Sequence, residues 1–125
     1  MKILLIDDDE YIRELISELL ESKGHEVVQA ANGKIALESL VVYRFDLIIT
    51  DIMMPEIEGV EFILRLRQSK IPVISISGMA KEDVINELIQ SLGIKGFLKK
   101  PFNKDDLFQL IDHIQQKPEN REYIR

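Results

Sequence analysis

Five polar side chains of this sequence stand at one recurring place, at the end of a short apolar run. Asp7 and Asp8 follow 3–6, Asp51 follows 47–50, Ser77 follows 73–76, and Lys100 comes shortly after 96–98. Carboxylates, a hydroxyl and an ammonium are groups that handle a phosphate together with a hard cation. Three carboxylates brought together repel one another and drive a proton onto at least one of them, unless a cation neutralises them. Oxygen-only ligands, few in number and shared with a phosphate, suit magnesium better than zinc. His25 and His113 have no partner at ligand spacing, and both are expected to be ordinary surface or boundary residues. The chain has no cysteine, which removes disulfides, thiolate metal sites and a cysteine nucleophile, and points to a reducing, cytoplasmic compartment. Taken singly, each feature has a plain structural reading. Aspartates before a helix complement its dipole. Asp51 can be a turn residue, Ser77-Gly78 a strand end, and Lys100-Pro101 a solvated lysine before a turn. What favours a site is the recurrence of such groups at four different strand ends.

Those ends belong to a repeating unit. Runs rich in β-branched residues (3–6, Glu26–Ala30, 47–50, 73–76 and 96–98) alternate five times with segments whose apolar residues recur at three and four, the pattern of strands joined by crossover helices. Ile12, Leu15, Ile16, Leu19 and Leu20 form one helical stripe closed by Gly24, and Val84, Ile85, Leu88, Ile89 and Leu92 another closed by Gly93. Helices are also expected over 34–42 and 59–67. A last helix follows Asn103 as N-cap and carries Leu107, Leu110, Ile111 and Ile114 inward. Five β-α units with right-handed crossovers imply an α/β three-layer sandwich with a parallel sheet and helices on both faces. Ligands of such sheets bind beyond the carboxyl ends of the strands, where the five polar groups lie.

Composition narrows the class further. A length of 125 residues fits one domain, expected over 1–117 with a polar tail or the start of a linker over 118–125. Hydrophobic residues at 46% against charged residues at 30% are ordinary globular usage. The net charge of −6 has the wrong sign for gripping nucleic acid. The apolar opening from Met1 to Ile6 is too short for a signal peptide or a membrane span.

At Leu5-Ile6-Asp7-Asp8-Asp9-Glu10, at Thr50-Asp51-Ile52-Met53-Met54-Pro55 with Gly59 four residues on, at Val73-Ile74-Ser75-Ile76-Ser77-Gly78 and at Lys99-Lys100-Pro101-Phe102, the sequence resembles the receiver domain of two-component response regulators. The resemblance covers essentially the whole chain. It implies a flavodoxin-like sheet in the order 2-1-3-4-5 with five helices. It implies that Asp51 accepts a phosphoryl group, while Asp7, Asp8, Asp51 and the backbone carbonyl of Met53 hold Mg2+. Ser77 and Lys100 would contact the phosphoryl oxygens, and Phe97 would be the switch aromatic. The partners implied are a sensor histidine kinase or phosphotransfer protein as donor, and a downstream effector or fused output domain at the surface of the fourth helix, fifth strand and fifth helix. Aiming Lys100 also implies a cis Lys100-Pro101 bond. The sequence departs from the commoner pattern in having Ser77 for threonine, Gly78 for alanine and Phe97 for tyrosine.

Two other classes share parts of this pattern. A haloacid-dehalogenase-type phosphatase needs a second aspartate two residues after its nucleophile, where this chain has Met53. A flavin-binding module wants a hydroxyl- and glycine-rich first loop, whereas Asp7-Asp8-Asp9 would repel the flavin phosphate. The only Gly-Lys pair, Gly33-Lys34, lacks the upstream glycine of a nucleotide-binding loop, so the expected donor is a phosphohistidine protein or a small phospho-compound, not bound ATP. The expectation is a switch rather than an enzyme with a turnover substrate. By the same resemblance, Met53 and Met79 flank the approach of a hydrolytic water, and a thioether holds water poorly, so slow self-dephosphorylation is expected.

Overall fold

The computed structural model describes residues 1–51, 62, 65–66, 68–78, 83, 86, 90 and 93–116. Five strands, β1 (Lys2–Ile6), β2 (Glu26–Ala30), β3 (Leu47–Asp51), β4 (Val73–Ser77) and β5 (Gly96–Lys99), form one parallel sheet in the order β2-β1-β3-β4-β5. This is the order that the resemblance implies. Asp51 and Ser77 are the last residues of β3 and β4 rather than the first beyond them. The helices complete among the described residues are α1 (Glu10–Glu21), α2 (Gly33–Val42) and a C-terminal helix (Lys104–Gln116). Phe62, Arg65, Leu66 and Gln68 are helical in the crossover from β3 to β4, and Asp83, Asn86 and Gln90 in that from β4 to β5. The stripe of Val84, Ile85, Leu88, Ile89 and Leu92, together with Gly59 and the tail 117–125, lies outside the described residues. Among the described residues no helix is long and apolar enough to cross a membrane.

The near-continuous apolar runs form strands buried on both faces, as central parallel strands are. Alternate residues feed two clusters. Ile3, Leu5, Leu47, Ile49, Ile74, Ile76 and Leu98 pack with Ile16 and Leu20 of α1 and with Leu107, Leu110, Ile111 and Ile114 of the C-terminal helix. Leu4, Ile6, Ile48 and Val73 pack on the opposite face with Ala36 of α2, Phe62 and Leu66. The C-terminal helix starts as expected, with the Asn103 side chain accepting from the Asp106 N–H at 2.9 Å. Leu15 departs from the expected stripe of α1 and is exposed. The reason is geometric: a stripe of five is wider than the arc that one sheet covers, and Ile16 and Leu20 fill that arc.

His25 also departs from expectation. It is buried at the foot of β2, with Nδ1 2.9 Å from the N-terminal amine. Burial, and then the positive charge of that amine, hold its imidazole below the ordinary value, with Asp112 working in the opposite sense. Because the folded state prefers the neutral ring, protons bind the unfolded chain first as pH falls below about 6.5. Stability present above that pH is therefore lost below it. Urea titrations between pH 7.5 and 5 should show this loss, and His25→Gln should flatten it.

Gly33 opens α2 under the ring of Phe62. A Cβ there would stand 3.0 Å from Phe62 Cδ2, and Phe62 is too buried to step aside. Gly33→Ala should lower unfolding free energy by about 1–3 kcal/mol through overpacking, despite the better helix propensity of alanine. Phe62→Leu in the same chain should recover part of that loss in chemical denaturation.

Candidate functional site

Parallel strands end together, so the residues closing β1, β3, β4 and β5 share one edge. Asp7 leaves β1 buried, with its N–H donating to the carbonyl of Ala30 in β2 at 3.2 Å. Asp9 caps α1, its side chain accepting from the N–H groups of Tyr11 and Ile12. Its own N–H donates to Asp7 Oδ1 at 2.9 Å. The cap of the helix thus orients a carboxylate of the site. The first loop folds this way because Asp9 satisfies helix donors that would otherwise be orphaned.

Lys100 supplies the positive charge. Its Nζ donates to Asp7 Oδ2 at 2.9 Å and to Asp51 Oδ2 at 3.2 Å. Burial works against the charged ammonium, but the hydrogen bond and charge of Asp7, followed by those of Asp51, outweigh it and hold Lys100 above its ordinary value. The backbone N–H of Lys100 donates to the carbonyl of Ser77 at 2.8 Å, and the Lys100-Pro101 bond is cis, as expected. A Cβ at Gly78 would stand 3.4 Å from Lys100 Cβ, an ordinary contact distance. Ser77 is fully buried, and Thr50 and Asp51 are buried beside it on β3.

Asp7, Asp8 and Asp51 each offer a carboxylate oxygen within 4.8 Å of the other two. Three hard oxygen donors at this spacing, from a buried pair and an exposed Asp8, fit a divalent cation such as magnesium and leave room for ligands that are not protein. The structure therefore brings together Asp7, Asp8, Asp51 and Lys100, with Ser77 at the neighbouring strand end. Phe97 lies on β5 and is half-buried. Its side chain shares a sheet row with Thr50 and Ser75, one residue inward from the Asp51 level. Met53 and Met79 lie outside the described residues. Asp9 is one of the three aspartates that the sequence places just before a helix, where acidic residues cap and favour the dipole, and capping is the role it takes.

Sheet order, strand-end carboxylates and bridging lysine define a class. The model of the response regulator receiver domain matches residues 3–112, and the chain belongs to that family, the receivers of two-component response regulators. It is similar to the transcriptional regulatory protein CrdR of Helicobacter pylori, 38% identical over 109 residues that cover 85% of this chain and 51% of CrdR. It is 39% identical over 114 residues to CpxR of Escherichia coli K12, covering 90% of this chain and 48% of CpxR. The chain spans about half the length of the curated relatives it matches. Among solved structures it resembles the chemotaxis protein CheY4 of Vibrio cholerae, at a TM-score of 0.82 and 32% identity over 90% of this chain and 97% of that one. The CheY-like receiver domain protein of Methanospirillum hungatei matches at a TM-score of 0.85 and 28% identity, over 94% and 95% of the two chains.

The shared ammonium makes a prediction independent of any donor. Lys100→Met leaves the buried Asp7 and Asp51 carboxylates without that charge, and should cost about 1–3 kcal/mol in urea unfolding at pH 7 and low salt. Most of the deficit should persist when sodium chloride is added, because buried carboxylates are screened far less than exposed ones.

Proposed function

We propose that this receiver domain is the phosphoacceptor switch of a two-component system, with Asp51 as the residue phosphorylated by a phosphohistidine of a sensor kinase or phosphotransfer protein. The observation that carries the reading is the Lys100 ammonium held between Asp7 and Asp51 at the shared end of β1 and β3. In this reading an Asp51 carboxylate oxygen attacks phosphorus as the bond to the donor's imidazole nitrogen breaks, and the imidazole leaves with that electron pair. Lys100 then exchanges a carboxylate partner for a phosphoryl oxygen, a short move for a group already at 3.2 Å from Asp51. Ser77 supplies a hydroxyl to another phosphoryl oxygen. Asp7, Asp8, Asp51 and the Met53 carbonyl would hold Mg2+, which when bound neutralises charge on the transferring group.

Output follows from packing. Drawing the Ser77 hydroxyl toward the new charge alters the neighbourhood of Phe97, whose ring fills the vacated space. In this reading the motion passes through β5 to the surface that β5 and the C-terminal helix form with the preceding helical segment, the surface proposed to meet an effector or a fused output domain. Phe97 has no hydroxyl, so its position is read through shape alone. The net charge of −6 supports a protein partner rather than direct nucleic-acid contact.

Incubation with acetyl phosphate and Mg2+ should add one phosphoryl mass to the chain. Asp51→Asn should abolish that adduct, and peptide mapping of the parent should place it at residue 51. An adduct of undiminished yield in Asp51→Asn refutes the assignment.

A further inference from the structure

The edge of the site receives a second cation that none of the steps above employs. Arg13 lies in the first turns of α1 and is half-buried. Its Nη1 donates to the backbone carbonyl of Asp7 at 2.7 Å, and its Nε donates to Gln29 Oε1 on β2 at 3.3 Å. The Asp7 carboxylate oxygens are held by others, Oδ1 by the Asp9 N–H and Oδ2 by Lys100. The guanidinium grips instead the carbonyl of the peptide that joins Asp7 to Asp8.

That peptide decides where the Asp8 side chain leaves the backbone. Asp7 is restrained independently, by its N–H on Ala30, by the Asp9 N–H on Oδ1 and by Lys100 on Oδ2. Asp8 is exposed, and among the described residues its carboxylate has no hydrogen-bond partner, although one oxygen lies within 4.8 Å of those of Asp7 and Asp51. Its direction is therefore inherited from the backbone, and the charged group fixing that backbone is Arg13. A 2.7 Å contact from a guanidinium is a charge-assisted bond of the stronger kind. The planar fork also serves Gln29 at a set angle, which a lysine ammonium on its flexible stem cannot reproduce.

We infer that Arg13 is a positioning residue: by locking the Asp7-Asp8 peptide between β1 and β2, it aims the Asp8 carboxylate at the cation site and sets that site's affinity. This rests on the reading of Asp7, Asp8 and Asp51 as the magnesium ligands. Charge and geometry oppose each other here, which makes the role separable. As a bare positive charge beside a cation site, Arg13 would weaken Mg2+ binding, so Arg13→Gln would tighten it and Arg13→Lys would leave it unchanged. As a positioning fork, both substitutions weaken it.

The test is isothermal titration of the full chain with Mg2+ alone, for the parent, Arg13→Lys, Arg13→Gln and Gln29→Leu, with each Arg13 change repeated in Asp8→Ala. Both Arg13 variants should bind Mg2+ roughly 10-fold more weakly, the scale of a residue that orients a metal ligand. Gln29→Leu, an exposed change that removes only the second acceptor, should weaken binding in the same direction. In Asp8→Ala neither Arg13 change should have a further effect, because the group it positions is gone. Parental affinity in Arg13→Lys, tighter binding in Arg13→Gln, or an equal loss with Asp8 absent overturns the inference while leaving the site intact. A parent that binds no Mg2+ overturns the reading of the site and this inference with it. Should the Arg13 variants fail to fold, unchanged affinity in Gln29→Leu overturns the positioning role.

Discussion

Two carboxylates, Asp7 and Asp51, are buried beside each other and share the ammonium of Lys100, at 2.9 and 3.2 Å. Buried charges of one sign are tolerated only when opposite charge reaches them with good geometry. Much of the architecture supplies that geometry. β1 and β3 must be neighbours for the aspartates to meet, and β5 must end level with them although β4 intervenes. The Lys100 N–H bonded to the Ser77 carbonyl ties those last two strand ends together. A sheet with another strand order would leave the same residues apart, each with only its plain structural role.

The two faces of the sheet explain why the chemistry sits at an edge. Alternation along β1, β3 and β4 sends one set of aliphatics to α1 and the C-terminal helix and the other to α2 and the helical residues Phe62 and Leu66. With β3 and β4 buried along their whole length, the central strands offer polar groups to solvent only at their ends, and the carboxyl ends are where helix-capping loops begin. The first loop uses one residue for both purposes. Asp9 caps α1 with its side chain and holds Asp7 with its N–H, so the capping of the helix and the orientation of the site come from the same turn.

The departures from the commoner receiver pattern form a coherent set around Lys100 and Ser77. Serine keeps the hydroxyl while shedding a methyl group at a fully buried position, and Gly78 removes the Cβ that would lie against the Lys100 side chain. Both residues are one methyl group smaller than the commoner ones, where a lysine and a hydroxyl are proposed to move. Phe97 keeps an aromatic volume on β5 without a polar end. In the proposed switch, movement is thus eased at the site and reported by shape at the surface.

Periodicity alone made the five strands, the buried stripe of the C-terminal helix and its Asn103 cap legible, because spacing along a chain dictates which residues share a face. The grouping of Asp7, Asp8, Asp51, Ser77 and Lys100 was legible as a likeness of strand ends. Local pattern could not choose the order of strands, nor show that Lys100 reaches Asp7 across 93 residues of sequence. Nor could it show that Leu15 falls outside the arc that the sheet covers, that His25 is buried against the N-terminal amine, or that Arg13 grips the Asp7 carbonyl. Each of these depends on which distant segment arrives beside a residue. A sequence determines which groups a segment can offer, because propensity and period act over a few residues; which partner each group meets is decided only when packing of the whole sheet sets the distances.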